Sequence, residues 1–504
     1  MTALLLLAIR LDLTPLIRGP APFPPEWQWR LREGSSLTGL APAIACAIGL
    51  LALLLLSGAP PAKRRPITAG ALILLLAIGL SFGLQLSMLA MEDGYSASDV
   101  LITRTVSSSF AGYFNVALSP ECRDVSRFLE QHHSLLSGLP SHTRTHPPGP
   151  VLYYRTFLGL FQARPELGKP VVSLAKRTGV NPVFLQNPDE EVFLATALAS
   201  ALTLVAVSNS SCAAVALLAW VLGAPLLAAV RTGILWAFVP GFALMIPEFD
   251  HLLVSPVVLS AAVLGLAVGR TRTRGVRWTL SFIAGLVGGT GLLISYGVFL
   301  FLAVAGLIVL AAQYDRVRAR PIDTTVSMLF AALGATAVFA LPSLAGHDTV
   351  PAALTALRIH RAEYTAPRSY PTWLLFNLWD FAIFLGFPVA VLFADRVIRS
   401  VRRLSSGPAH ASGTNLLVTV AAASLLILDL SGTVRGEVGR IWMPLMPFVL
   451  VTSLALPIDG HGPGPRNDLE PGFGVAGPSV TLATALAVML ATCGFVLRQT
   501  WHLP

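Results

Sequence analysis

An all-α, polytopic membrane helical bundle is the fold class that this 504-residue sequence predicts, on three observations. Charged residues make up 12% of the chain and hydrophobic ones 54%, whereas about a quarter of a soluble protein is charged. Apolar windows long enough for roughly 30 Å of hydrocarbon recur, as in PAIACAIGLLALLLLSGA (42–59) and ITAGALILLLAIGLSFGLQLSML (67–89). The net charge of +9 resides largely in short connections between such windows, which is the positive-inside pattern rather than a nucleic-acid footprint.

In chain order, MTALLLLAI (1–9) reads as a short first membrane segment; it lacks the basic n-region and cleavage site of a signal peptide. Spans are expected at 37–57, 67–90, 195–220, 232–246, 252–268, 278–295, 297–313, 325–341, 374–392, 415–430, 442–456 and 479–497, giving 12 to 13 transmembrane segments in a single integral-membrane domain, 1–504. Lys63–Arg65, Arg231, Arg270–Arg277, Arg316–Arg320 and Arg396–Arg403 then all fall on the cytoplasmic side without a parity error. The extracytoplasmic side receives 10–36, 91–194, 247–251, 342–373 and 429–440. Residues 91–194 are too long for a plain loop and too apolar for disorder, so amphipathic helices on the membrane surface are expected there. The Gly/Pro-rich stretch 457–478 reads as a flexible cytoplasmic linker. Cys46, Cys122, Cys212 and Cys493 are too scattered for a disulfide framework or a metal ribbon.

The chemistry-bearing residues gather in the extracytoplasmic stretches. Glu92 and Asp93 follow a membrane segment directly, where a carboxylate can accept a proton, hold a metal ion or simply end the helix; Asp99 is near enough to assist. In SHTRTHPPGP, three prolines stiffen a turn that presents His142, Arg144 and His146. The two histidines have metal-compatible spacing only on a helix, which the prolines would end, so hydrogen bonding to a phosphate or sugar is the better reading. PEFDH places Glu248, Asp250 and His251 in a tight connection that does not need charges for its turn. LRIHRAEYTAPRSY contributes His360 and Arg361, and SGTVRGEVGRIW contributes Arg435, Glu437 and Arg440. Arginines on this side run against the usual bias, and guanidinium groups suit a lipid-linked phosphate, although Glu437 could equally just pair with its neighbours. Trp27 and Trp29 in GPAPFPPEWQWR read as lipid anchors. No nucleotide-binding or hydrolase motif occurs in a fitting context.

The acidic pair Glu92-Asp93, THPPGP, PEFD and RGEVGRIWMPLMPF together resemble the GT-C superfamily of integral-membrane glycosyltransferases, in particular the bacterial branch near the protein mannosyltransferases and aminoarabinose transferases. The resemblance implies a polyprenyl-phosphate-linked sugar as donor and a glycan, lipid or protein acceptor outside the inner (cytoplasmic) membrane. It implies a general base at Asp93 or Glu92, with His142, Arg144, His146, Asp250, His360, Arg361, Arg435, Glu437 and Arg440 as donor-phosphate or substrate residues, and single inversion at the anomeric carbon. No cofactor is required by any motif; a divalent metal, Mg or Mn, would suit such carboxylates. The chain departs from the family in having two apolar segments before the acidic pair instead of one. A lipid transporter or flippase is the competing reading, with Gly288-Gly289 as the place where a helix could be broken. A third is a non-catalytic partner in envelope-polysaccharide assembly.

Overall fold

The computed structural model describes residues 1–32, 37–92, 94–181, 188–271, 273–406, 413–454 and 478–503. Among these the architecture is helical, and the sheet is a two-residue antiparallel pair with Arg30 opposite His502 and Leu31 opposite Trp501. The expected linker lies almost wholly outside the described residues, as 455–477 are not among them.

Six helices in the described residues are long and apolar enough to cross a membrane: Pro66–Leu89, Glu191–Val221, Phe249–Arg270, Pro321–Ala345, Gly413–Leu430 and Val480–Thr500. The chain is therefore a multi-pass, all-α membrane protein. The expected span 374–392 is instead two helices, Tyr370–Leu385 and Phe387–Ser405, bent by 117° about Gly386. Counting that pair once gives up to seven candidate spans among the described residues by length and composition, against the 12 to 13 expected, with Leu40–Leu56 and Val298–Ala312 among the shorter apolar helices. Segments 232–246 and 442–456 explain much of the difference. They form short helices, Leu226–Trp236, Pro240–Leu244 and Met446–Ser453, and every residue of 232–249 and 442–454 is buried. An apolar run of this length reads the same whether it meets lipid or protein, and prolines at Pro240, Pro444 and Pro447 shorten these helices.

Small residues set a close contact between helices Arg274–Leu292 and Pro321–Ala340. Helix Arg274–Leu292 runs unbroken through Gly288 and Gly289, so the break that the transporter reading would place there is absent. A Cβ at Gly285 would land on the Ala331 carbonyl oxygen, and one at Gly334 on that of Phe282, which lets two backbones approach as small residues do in membranes. Arg277 and Arg274 close one end of this pair on Asp323 at 2.8 and 3.2 Å.

Residues 97–177 fold into helices Ala97–Val106, Tyr113–Leu118, Val125–Leu135, Gly149–Ala163 and Pro165–Arg177. With helix Pro188–Ser208 they share a buried cluster around Phe114, Phe128, Tyr154, Phe161 and Leu198, forming a packed layer at one end of the bundle, here termed the loop face. The 19–30 segment docks against helix Tyr370–Leu385. Trp29 is 4% exposed and donates to Asp380 at 2.7 Å, while Glu26 accepts from Trp373 at 2.7 Å and from the Ser369 amide at 2.9 Å. Trp29 is thus an inward strut rather than a lipid anchor, because the loop has a partner helix for its indole N–H.

Substituting Gly285 by Leu should force helices Arg274–Leu292 and Pro321–Ala340 apart. A destabilisation of about 1–3 kcal/mol is expected, read as a lower melting temperature of the purified protein in detergent, whereas Gly79→Leu, where a Cβ meets nothing within 4 Å, should leave it unchanged.

Candidate functional site

Two buried ionic clusters organise the loop face. The first is centred on Glu92, just beyond helix Pro66–Leu89. Its Oε2 lies 2.8 Å from Arg498, 3.2 Å from Arg104 and 3.5 Å from Arg32, and its Oε1 lies 3.6 Å from His502. Arg104 also donates to the carbonyls of Ile246 (2.5 Å) and Leu503 (2.7 Å), and Arg498 to those of Met88 (2.8 Å) and Leu89 (3.3 Å). Burial alone would raise the Glu92 carboxyl, but Arg104, Arg498 and Arg32 outweigh it and hold the group below its ordinary value. Burial, against the attraction of Glu92, leaves Arg104 pushed down to about 10. A carboxylate held this way is a strong structural anchor and a weak base. Asp93 lies outside the described residues. Asp99 is occupied as a cap: it accepts from the Ser96 amide at 3.0 Å and from the Asn181 amide at 2.7 Å.

The second cluster assembles residues from five distant parts of the chain around Arg440. Its guanidinium donates to Glu437 at 2.9 Å and lies 3.3 Å from Asp250 and 3.6 Å from Glu248. The turn that presents Glu437 is over-determined. Glu437 itself has φ +59°, in the left-handed region, and flanking amides are fixed by Asn377 (Gly436 N–H, 3.1 Å) and Asp380 (Gly439 N–H, 2.9 Å). Arg368 pairs with Glu437 at 3.5 Å and donates to the Arg435 carbonyl, while Arg435 donates back to the Arg368 carbonyl at 2.6 Å. Arg435 is therefore a strut between two turns.

Aromatic and imidazole rings line the same cluster. His142 stacks on Tyr364 with centroids 5.6 Å apart, and Tyr364 stacks in turn on His360 at 5.7 Å. Tyr113 meets His146 and Phe249 edge-on at 5.6 and 5.4 Å. The His146 Nδ1 lies 2.8 Å from the His142 carbonyl, an arrangement that places its proton on Nδ1 and leaves Nε2 as an acceptor. Burial, then His360 and Arg440, pushes His146 down to about 4; burial, Arg440 and His146 lower His142 as well. Both are neutral at physiological pH. Burial pushes Glu248 up to about 7, against Arg440, with Asp250 adding to the rise. Burial would lower Arg440, but Glu437, Glu248 and Asp250 hold it above its ordinary value.

The sequence-derived set thus divides. His142, His146, Asp250, His360, Glu437 and Arg440 meet in one cluster. Arg144 sits beside it in a half-exposed pair with Glu363 at 2.9 Å, Arg361 is exposed, and Glu92 belongs to the neighbouring cluster. Sequence reading passed over Arg104, Arg498, Tyr113 and the role of Glu248. An arginine near the end of an apolar helix, as in GFVLRQTWH, is the signal that would have found Arg498. Behind the Pro147-Pro148-Gly149 turn lies an apolar cavity of about 210 Å³, lined among others by Leu129, Leu152, Leu293, Tyr296 and Phe339. Gly149 makes that turn fit, since a Cβ there would collide with the Leu293 carbonyl. Among the described residues no three His, Cys, Asp or Glu side chains are grouped to hold a metal ion.

Glu92→Gln should leave three arginines around a neutral amide and lower stability by roughly 3–5 kcal/mol. Because the folded-state value of Glu92 is depressed, its contribution is present above the ordinary carboxylate range and is lost as pH falls through the folded value. The stability gap between wild type and variant should therefore close on acidification, as melting curves across pH 3–7 (roughly that window) would register. No protein-family model matches the chain, and no curated protein or solved structure is significantly similar to it.

Proposed function

We propose that this protein is a membrane glycosyltransferase of the GT-C type, moving a sugar from a polyprenyl-phosphate donor to an acceptor hydroxyl at the loop face, on the extracytoplasmic side of the cytoplasmic membrane. The observation that carries the reading is the convergence of His142, His146, Asp250, His360, Glu437 and Arg440 into one buried, polar, ring-lined cluster at the membrane-adjacent end of the bundle. Carboxylates and neutral imidazoles offer acceptors to sugar hydroxyls, and stacked rings offer apolar faces to a pyranose or furanose. The more exposed guanidiniums, Arg144 and Arg361, are the groups suited to meet the phosphate. One rigid turn, 146–149, has the polar cluster on one side and the apolar cavity on the other, an arrangement fitted to a donor with a polar head and an isoprenoid chain.

In this reaction the acceptor oxygen forms a bond to the anomeric carbon while the bond from that carbon to the phosphate oxygen breaks, its electron pair leaving with the polyprenyl phosphate. The acceptor proton passes to a base of the site, and configuration inverts once.

The test is transfer or slow release of sugar by purified protein in nanodiscs, across a panel of radiolabelled polyprenyl-phosphate sugars. His142→Ala should lower kcat/KM at least about tenfold while the melting temperature stays near wild type. Absence of binding and turnover with every donor would remove the reading. The bend at Gly386 is the feature that favours a transporter instead, since broken helices build transport sites. Movement of labelled lipid across proteoliposomes without sugar transfer would select that alternative.

A further inference from the structure

We infer that Glu248, the residue that introduces helix Phe249–Arg270, is the carboxylate that takes the proton from the acceptor hydroxyl. The inference rests on the glycosyltransferase reading and adds the identity of its base.

Glu248 is buried, with its side chain 10% exposed, yet its carboxylate accepts no hydrogen bond among the described residues; the cation nearest to it is Arg440, at 3.6 Å. A buried carboxyl normally collects donors, and one left without them keeps its lone pairs for something else. The groups around it are known from each packed element: Arg440 and Glu437 from the 435–441 turn, Arg104 from helix Ala97–Val106, Tyr113 and Tyr154 from the loop layer, and Asp250 two residues further on in the first turn of the helix that Glu248 introduces. Arg440 is already shared with Glu437 and Asp250, so it supplies Glu248 with modest charge compensation rather than a locked ion pair.

The rival bases are less suited. Glu92 has three guanidiniums within 3.5 Å of one oxygen, which stabilises the anion and removes basicity. His146 has a free Nε2 but is held well below neutrality by its burial. Glu248, by contrast, titrates close to neutral pH, the range in which a general base is most effective. The step balances simply: the acceptor O–H proton moves to a Glu248 oxygen as the acceptor oxygen bonds to the anomeric carbon, and the carbon–phosphate oxygen bond breaks toward the phosphate.

The experiment measures kcat and kcat/KM for wild type, Glu248→Gln, Glu248→Asp and Asp93→Asn between about pH 5.5 and 8.5, with donor retention and melting temperature recorded on the same preparations. Wild-type kcat/KM should rise with pH through about 7. Glu248→Gln should lose at least about 100-fold in kcat and lose that rise, while still retaining donor. Glu248→Asp, a shorter carboxylate, should recover part of the rate with a displaced pH profile, which a merely structural role would not produce. Should Glu248→Gln fail to fold, the Asp variant carries the test alone. Wild-type rates and an unchanged pH profile in the Glu248 variants would overturn the inference, and loss of the profile in Asp93→Asn alone would return the base to the first loop. If wild type consumes no donor at all, the glycosyltransferase reading falls and takes this assignment with it.

Discussion

The Arg440 guanidinium, shared among Glu437, Glu248 and Asp250, is the tie on which the loop face depends. Those carboxylates come from two places nearly 190 residues apart, and a single planar cation brings them together. Three carboxylates facing one guanidinium cannot all be ionised without strain, so the tie does more than join two turns. Burial, with Asp250 and Glu437 adding to it, raises the proton affinity of the worst compensated carboxyl, Glu248, and the shared Arg440 opposes that rise only in part.

The neighbouring cluster has the opposite imbalance, with three arginines on Glu92. Its cations also donate to the carbonyls of Met88, Leu89, Ile246 and Leu503, so it stitches the end of helix Pro66–Leu89 to the 246 turn and to the last residues of the described chain. Arg104 connects the two clusters, because it holds the Ile246 carbonyl two residues before Glu248. Buried ion pairs are poor sources of net stability but good sources of register, since each charge removed from water accepts only its own partner. Here they fix where the 246–250 turn sits against the loop layer, which apolar contacts alone would leave free to slide.

Much of this was legible in the sequence, for identifiable reasons. A long apolar helix such as Pro66–Leu89 reads clearly because its 24 residues meet the roughly 20 that hydrocarbon demands. The 232–246 segment misled because burial against protein demands the same composition, and only Pro240 hinted at a broken path. Polar residues such as His142, Asp250 and Arg440 stood out against an apolar background, so the members of the site could be named. Their division of labour could not, because it depends on distances: nothing in MEDGY tells that Arg498, some 400 residues later, reaches Glu92. Trp29 misled for a related reason, since an interfacial tryptophan and a buried one paired to Asp380 have the same local sequence.

A site at the end of a membrane bundle faces a particular electrostatic constraint. If its histidines were protonated, the cluster would join Arg440 and Arg368 in a field that draws any anion into the carboxylate pocket. Burial keeps His142 and His146 neutral and lets them act as hydrogen-bonding walls. Accessible positive charge is then left at the edge, on Arg144 and Arg361, while in the interior Arg440 is shared among three carboxylates and Glu248 accepts no hydrogen bond among the described residues. On the proposed transferase reading, such a gradient would separate the place where an anion is held from the place where a proton is taken, and an inverting displacement needs those two functions on opposite sides of the reacting carbon.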